Sequence, residues 1–257
     1  MEKHNDFSPV EVRHLTIGYA NRIILQNLDF SLKKGQITAI LGQSGCGKST
    51  LLKHLIGLYQ PIAGEILIEG KVLSHTNPKD RSEIYRKIGV AYQGGALLRS
   101  LTVFENLALP LMENTKMDRE EIQQRVLKKL DMVQLKEFLN YYPADLSGGM
   151  IKRVAIARAM ILDPSIIFLD EPSAGLDPVT SARLDRLILS LRDNSQTTVV
   201  LVSHELPSIF TVADRILMLD RNSKGIIADG NPNVLKHSRE NRQTYCFLNR
   251  QPESESE

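Results

Sequence analysis

Residues 37–57 read ITAILGQSGCGKSTLLKHLIG, and this stretch decides the fold of the chain. It begins with a short apolar run, passes through a glycine-rich loop and continues as a stretch of helical character. The loop, residues 42–49, matches G-x-x-x-x-G-K-[ST] at every fixed position. The motif requires a strand before it and a helix after it, and the sequence indicates both. The stretch therefore predicts a phosphate-binding loop that follows a buried parallel strand.

The loop glycines allow the backbone to point successive N–H groups at a phosphate, and the following helix adds its positive end. Lys48 is expected to reach the β- and γ-phosphates of a nucleotide, and Ser49 to bind Mg²⁺ through its hydroxyl. Cys46 is either a reactive thiol at a helix start or a simple spacer. The predicted nucleotide contacts are Gly42, Gln43, Ser44, Gly45, Cys46, Gly47, Lys48, Ser49 and Thr50.

Short apolar runs alternate with longer amphipathic stretches along the rest of the chain, which predicts an α/β fold. From about Val103 to Met160 the pattern is helical instead. Asp118 with Glu121 three residues later resembles a capping box at a helix start. We expect this middle part to be a helical lobe inserted into a sheet domain. The predicted strands are Val10–Ile17, Leu25–Leu32, Gln36–Leu41, Glu65–Ile68, Ile88–Tyr92, Ile166–Asp170, Thr198–Ser203, Ile216–Leu219 and Gly225–Ala228.

Polar groups follow two further buried strands, and in open α/β sheets ligands bind at the carboxyl ends of strands. Asp170 ends one strand and is placed to hold Mg²⁺, directly or through water. Glu171 comes next and is a candidate general base for an attacking water. His204 follows another strand, and we expect it to contact the γ-phosphate. With Lys48, these groups form a constellation typical of phosphoryl transfer.

The composition of the chain limits its possible partners, its compartment and the ways it could associate with a membrane. The chain has 257 residues with 32 basic and 30 acidic side chains, a balance that gives no electrostatic case for nucleic acid as a partner. Its two cysteines do not form a disulfide framework, which favours a reducing compartment. The first twelve residues lack the apolar core of a secretory signal. No apolar run approaches the length of a transmembrane helix. Any membrane role must therefore come through a partner.

The stretch Leu146-Ser147-Gly148-Gly149-Met150 resembles the LSGGQ signature of ATP-binding-cassette (ABC) proteins. Tyr19 lies where that family has an aromatic residue that stacks on adenine, and Gln93 where it has the Q-loop glutamine. Residues 173–177, SAGLD, match the family's D-loop. The resemblance covers about residues 10–235. It implies an α/β fold of the P-loop NTPase (RecA-like) type, with an N-terminal antiparallel β-subdomain and a helical subdomain at about 95–160.

The resemblance also implies a mechanism that needs a second copy of the chain. In the family, ATP lies between the phosphate loop of one subunit and the signature of the other. ATP and Mg²⁺ are therefore the expected cofactors, and the ABC domain is expected to span 8–237. Glu171, His204 and Gln93 are the expected catalytic residues, and Ser49, Gln93 and Asp170 the metal ligands. The residues expected to bind the nucleotide across the dimer are Ser147, Gly148, Gly149 and Asp177.

The stretch from Gln93 to Leu111 bears on which substrate the transporter moves. Small residues follow the glutamine, where many importers of polar solutes have bulky aromatics. In this stretch and in LSGGM, the chain is similar to the MCE-associated cassettes of Mla-type phospholipid-trafficking systems. This similarity implies an integral membrane permease and an MCE-domain substrate-binding protein as partners. It also implies a peripheral location on the cytoplasmic face of the inner membrane.

Other functions remain open on the sequence alone. One is an ABC importer for amino acids or ions, and another is a cassette that works without transport, as in cofactor assembly.

Residues 238–257 extend past the usual core. Either Tyr245, Phe247 and Leu248 dock on the other subunit, or the extension is disordered. The final residues, QPESESE, have the composition of a disordered tail.

Overall fold

The computed structural model describes residues 8–19, 22–73 and 78–252. The predicted tail at 253–257 lies outside the described residues. Strands and helices alternate as the sequence indicates. The strands are β1 Val10–Tyr19, β2 Arg22–Leu32, β3 Ile37–Gly42, β4 Ala63–Ile68, β5 Lys71–Val72, β6 Ile88–Ala91, β7 Ile166–Asp170, β8 Thr198–Val202, β9 Arg215–Asp220 and β10 Gly225–Gly230. The α-helices are α1 Lys48–Leu55, α2 Pro78–Arg86, α3 Val103–Asn114, α4 Arg119–Met132, α5 Gly148–Ala159, α6 Pro178–Ser195, α7 Leu206–Val212, α8 Pro232–His237 and α9 Arg242–Leu248.

Two sheets make up the strand content of the described residues. The larger sheet has the order β10-β9-β3-β8-β7-β6, and all its neighbours are parallel except the β9–β10 pair. The smaller sheet is antiparallel, with the order β2-β1-β4-β5. These sheets confirm the α/β fold with an antiparallel N-terminal part. The sequence did not indicate β5, because two exposed residues carry no periodic pattern.

The central strands are buried on both faces, as their continuous apolar runs predict. On β3, Ile37 and Ala39 pack into a core with the helices of the middle segment, whereas Ile40 packs into a second core. That second core also contains Leu51 of α1 and the apolar residues of the smaller sheet. The phosphate loop is therefore anchored from both sides of the sheet.

Helices α3, α4 and α5 occupy the segment that the sequence marks as helical. Asp118 caps α4 and accepts hydrogen bonds from the N–H groups of Glu120 and Glu121, while the Glu121 side chain accepts from the N–H of Asp118. Val126 and Leu130 of α4 are buried. The exact bounds of the lobe, about 95–160, stay a prediction. Among the described residues, no helix is both long and apolar enough to cross a bilayer.

Candidate functional site

The phosphate loop turns sharply between β3 and α1. Gly42 and Gly47 have φ values of +143° and +108°, which favour glycine. A Cβ on Gly42 would lie 2.4 Å from the carbonyl oxygen of Leu219, so the close packing of β3 on β9 also requires glycine there. Lys48 Nζ donates to the carbonyl oxygens of Gly42, at 2.8 Å, and Gln43, at 3.1 Å. The ammonium group thus lies inside the curve of the loop.

A cavity of about 580 Å³ opens above this loop and brings together groups from several strand ends. It is lined by most of the loop together with Gln93 after β6, Glu171 after β7 and His204 after β8. The structure therefore places the constellation that the sequence predicts around one cavity. The lining residues are Ile24, Gly42, Gln43, Ser44, Gly45, Gly47, Lys48, Ser49, Thr50, Gln93, Glu171, His204 and Phe247.

Glu171 and His204, which both line this cavity, are in polar contact with each other. His204 Nδ1 lies 2.8 Å from Glu171 Oε1, and the Glu171 side chain is only 13% exposed. The other carboxylate oxygen, Oε2, is buried and has no hydrogen-bond partner in the described part of the chain. A buried carboxylate oxygen without a partner is unfavourable unless a proton donor or cation reaches it. The site is therefore suited to hold a water molecule or a cation at this oxygen.

Asp170 precedes Glu171 and is partly buried at the end of β7. Burial raises the pKa of its carboxyl, and the neighbouring Glu171 raises it further, against the opposing effect of Lys53 and Lys48. Its Oδ1 atom is also buried without a hydrogen-bond partner within the described residues. Asp170 does not line the cavity directly. Two adjacent acidic groups with unsatisfied oxygens mark this strand end as a place for positive charge.

Tyr19 lies at the end of β1, beside the phosphate loop. Its hydroxyl shares a hydrogen bond with Thr50 Oγ1 at 3.1 Å, and its ring makes an edge contact with Tyr59 at a centroid distance of 5.6 Å. The Tyr19 side chain is 43% exposed, so a face of the ring remains accessible. Tyr59 was not recognised in the sequence, because no motif marks it.

The side chain of Cys46 does not face the cavity. It is 1% exposed and packs against the core that contains Leu51 and Leu55. Burial raises the pKa of the Cys46 thiol, against the opposing effect of Lys48. A reactive thiol needs a lowered pKa and access to solvent. Of the two interpretations of Cys46, the structure favours the spacer, which contributes its backbone to the loop.

Comparison with known proteins identifies the family. The model of the family described as "ABC transporter" matches residues 25–174. This chain belongs to the ABC transporter family. It is an ATP-binding subunit of an ABC transporter and an ATPase. The similarity extends far beyond the phosphate loop, because the relatives match about nine tenths of the chain.

One similar protein is the intermembrane phospholipid transport system ATP-binding protein MlaF of Haemophilus influenzae, which is 37% identical over 91% of this chain and 88% of its own length. Another is the probable ribonucleotide transport ATP-binding protein mkl of Mycobacterium leprae, which is 39% identical over 90% of this chain and 66% of its own length. Both carry the word transport in their names, but with different cargo.

Solved cassettes share the fold. An ATP-binding cassette solved as a dimer in a post-hydrolysis state with ADP and phosphate has a TM-score of 0.77 and 33% identity, covering 86% of this chain and 98% of that one. A cassette from Clostridium perfringens that is part of an ABC transporter complex has a TM-score of 0.81 and 27% identity, covering 95% and 96%. Cassettes of this fold therefore form dimers and bind nucleotide.

The signature residues of this ABC subunit lie apart from the cavity above its own phosphate loop. Ser147 caps α5 by accepting a hydrogen bond from the Met150 N–H at 3.3 Å. Gly148 is exposed, and nothing lies within 4 Å of where its Cβ would be. Asp177 caps α6 and accepts from the N–H groups of Val179 and Thr180 at 3.0 Å. None of the predicted trans-acting residues lines the cavity of the same chain.

The C-terminal extension of this ABC subunit packs on its own core. Leu248 of α9 is 2% exposed and belongs to the core with the middle helices, so this side chain is not presented to the other subunit. Docking of the extension through Tyr245 and Phe247 stays a prediction. Phe247 is partly buried and lines the cavity above the phosphate loop of the same chain. Arg242–Leu248 of the extension forms a helix capped by Asn241, so this part is not disordered. Nothing in the local sequence indicated that Phe247 reaches the site.

Proposed function

We propose that this subunit hydrolyses ATP at the cavity above the phosphate loop to power phospholipid movement between bacterial membranes, together with an MCE-type system. The contact between Glu171 and His204 beside Lys48 carries the hydrolytic part of the proposal. The similarity to MlaF over most of both chains supports the lipid part. The lobe at 95–160 and the domain at 8–237 keep their expected bounds in this proposal.

The nucleotide lies along the loop in the proposed complex. N–H groups of residues 42–50 surround its phosphates, and Lys48 exchanges its carbonyl partners for phosphate oxygens. Tyr19 stacks on adenine with the exposed face of its ring. The hydrogen bond from Tyr19 to Thr50 then joins the adenine end of the site to its phosphate end.

The oxygen groups at the strand ends fit Mg²⁺. A hydroxyl, a carboxamide and a carboxylate, from Ser49, Gln93 and Asp170, form the oxygen-only donor set that this ion prefers. The buried Asp170 Oδ1 without a partner supports the assignment. When bound, Mg²⁺ neutralises charge on the phosphates during transfer. Burial raises the pKa of the Asp170 carboxyl, and a bound cation would favour its ionised form.

Glu171 is the proposed general base. Its buried Oε2 is free to accept a proton from the attacking water, while Oε1 is held by His204. The imidazole of His204 fixes the orientation of the carboxylate and lies close enough to the cavity to contact the γ-phosphate. Both groups follow neighbouring strands of one sheet, so their separation is set by the β7–β8 pairing.

A second copy of the chain completes the site in this proposal. Ser147, Gly148 and Gly149 head helix α5, and Ser147 and Gly148 are exposed there. The start of this helix is suited to bind an anion, but it does not line the cavity of its own chain. Asp177 contributes from the following loop. Facing a second subunit, these groups close over the γ-phosphate and supply the remaining charge stabilisation. The dimeric cassettes of the same fold support this arrangement.

The partners proposed for transport are an integral membrane permease and an MCE-domain substrate-binding protein, with the subunit on the cytoplasmic face of the inner membrane and without nucleic acid. The permease is proposed to contact the segment after Gln93, where Gly94 has open space around the position of its Cβ and Leu98 is 45% exposed. Small side chains at this surface leave room for a coupling helix.

Co-purification and reconstitution test the cargo. Tagged subunit is isolated from its native membranes, and the assembly is placed in liposomes with fluorescent phospholipid. We expect a permease and an MCE-domain protein to be retained, and ATP-dependent phospholipid transfer that fails with Glu171→Gln. A ribonucleotide moved instead would favour the function named for mkl. A co-purified amino-acid receptor with no lipid transfer would overturn the lipid proposal.

A further inference from the structure

One lysine joins the signature helix to the turn that holds the proposed base. Lys152, in the second turn of α5, donates to the carbonyl oxygens of Glu171, at 3.3 Å, and Ala174. It is partly buried, and burial lowers the pKa of its ammonium, while Glu171 and Glu205 oppose that shift. Its charge thus lies against two backbone carbonyls.

Glu171 adopts a backbone conformation that its surroundings must maintain. Its φ is +47°, in the left-handed region that residues with a side chain seldom adopt. Its N–H donates to the Val202 carbonyl at 2.8 Å, and its carboxylate is held by His204. The carbonyl accepts from the Ala174 N–H within the same turn and from Lys152. Lys152 is the contact in this set that comes from α5.

The first turn of α5 also packs tightly on the segment after Glu171. A Cβ on Gly149 would lie 2.7 Å from Thr180 Cγ2 and 3.7 Å from Leu176 Cδ2. The signature helix and the start of α6 are therefore closely packed at Gly149. We therefore expect a displacement of α5 to affect residues 171–180, and Lys152 is a polar contact that joins α5 to Glu171.

We propose that Lys152 is a positioning residue that makes the geometry of Glu171 depend on the position of α5. When the signature of one subunit engages the nucleotide held by the other, α5 moves, and Lys152 sets the base of its own subunit. Closure of the dimer around one nucleotide would thereby set the position of the base at the opposite nucleotide site. This inference rests on the proposed function, in which Glu171 is the base and Ser147–Gly149 act in trans.

Single variants test the positioning role. Lys152→Met keeps the length of the side chain and removes its charge and donors. We expect kcat to fall about 10- to 100-fold, as for a misplaced catalytic group, while the Kd for ATP changes little. The cooperativity of hydrolysis with respect to ATP should also be lost. Lys152→Arg, which keeps a cationic donor, should recover part of kcat. Lys128→Met, on the exposed face of α4, is the control that should behave like the wild type.

Mixed dimers decide which subunit Lys152 serves. Two differently tagged chains are paired so that only one Glu171 is intact, the companion carrying Glu171→Gln. Lys152→Met in the chain with the intact Glu171 should slow hydrolysis. Lys152→Met in the companion chain, which carries Glu171→Gln, should leave most of the hydrolysis rate unchanged. Equal rates in both arrangements, or a loss only with the companion, would overturn the proposal. Because the dimers share all other features, a folding defect would affect both alike.

The proposed function and the positioning role of Lys152 can be refuted independently of each other. If Glu171→Gln homodimers hydrolyse ATP at the wild-type rate, the base assignment is wrong whatever Lys152 does. If Glu171→Gln is inactive but Lys152→Met retains wild-type kcat and cooperativity, only the positioning role is wrong.

Discussion

At the residue scale, the site depends on one hydrogen-bonded pair at adjacent strand ends. Glu171 and His204 lie 2.8 Å apart, and the buried Oε2 of Glu171 has no partner among the described residues. Such an oxygen is available to a water molecule, which a solvated carboxylate would not hold in a fixed position. The chemistry therefore depends on Glu171 more than on the other carboxylates of the site.

Replacing Glu171 with Gln should abolish hydrolysis but keep nucleotide binding. The amide preserves the shape of the side chain and cannot accept the proton, so we expect kcat to fall about 100- to 10,000-fold with little change in the Kd for ATP. Phosphate release and a fluorescent ATP analogue measure the two quantities. Glu113→Gln is a matched control, since Glu113 is exposed on α3 and does not line the cavity. Rapid turnover by Glu171→Gln would show that another group takes the proton.

His54 should make the stability of the fold depend on pH. It is fully buried in α1, its Nδ1–H donates to the Thr50 carbonyl at 2.8 Å, and burial lowers its pKa below the ordinary 6.5. Below pH 6.5 the unfolded chain therefore binds more protons than the folded chain, and the free energy of unfolding falls as the pH decreases. Above pH 6.5 both states carry a neutral imidazole and the effect is absent.

Urea unfolding at pH 7.5 and pH 5.5 measures this dependence. We expect the loss of stability between the two values to be about 1 kcal/mol smaller in His54→Leu than in the wild type. His237→Leu, at the exposed end of α8, should keep the wild-type dependence. Identical pH dependence in the wild type and His54→Leu would show that the imidazole does not titrate differently on folding.

The sequence predicts those site residues that belong to a local pattern. Lys48, Glu171 and His204 each follow an apolar run, and parallel strands bring such positions to one edge of a sheet. Phe247 belongs to no such pattern, and it reaches the cavity only because α9 packs on the core of its own chain. Tyr59 is similar, since its contact with Tyr19 depends on the pairing of distant segments.

At the scale of elements, local patterns could likewise be predicted from the sequence, whereas packing between distant segments could not. The start of α4 could be predicted because Asp118 and Glu121 satisfy each other within one turn. The docking of α9 could not, because Leu248 packs into a core made by residues far away in the sequence. A short helix after a domain boundary gives no sign of which surface it will cover.

Leu248 should therefore contribute to the stability of the subunit itself. Replacing it with Ala removes buried methyl groups and leaves a cavity, so we expect the free energy of unfolding to fall by about 2 to 4 kcal/mol. Val234→Ala, at a position that is 67% exposed in α8, should change it by less than about 0.5 kcal/mol. Urea denaturation of the isolated subunit measures both. A stable Leu248→Ala variant would show that α9 is not anchored on this core.

At the scale of the whole molecule, the sheet edge and the signature are separate surfaces. The cavity gathers the ends of β3, β6, β7 and β8, whereas Ser147 and Gly148 head a helix outside it. Under the proposed function, a single copy thus carries two half-sites that do not meet. Two copies placed head to tail would complete two sites, and nucleotide would then hold the subunits together. Hydrolysis would release them, which gives a motor with two states.

The structure of the Glu171→Gln variant with ATP and Mg²⁺ tests this account most directly. We expect a particle of twice 28.9 kDa, in which Ser147 of the partner subunit contacts the γ-phosphate bound by Lys48. Without nucleotide the same variant should be a monomer. An ATP-bound structure in which Ser147 lies far from every triphosphate, in any assembly of the chain, would contradict the account.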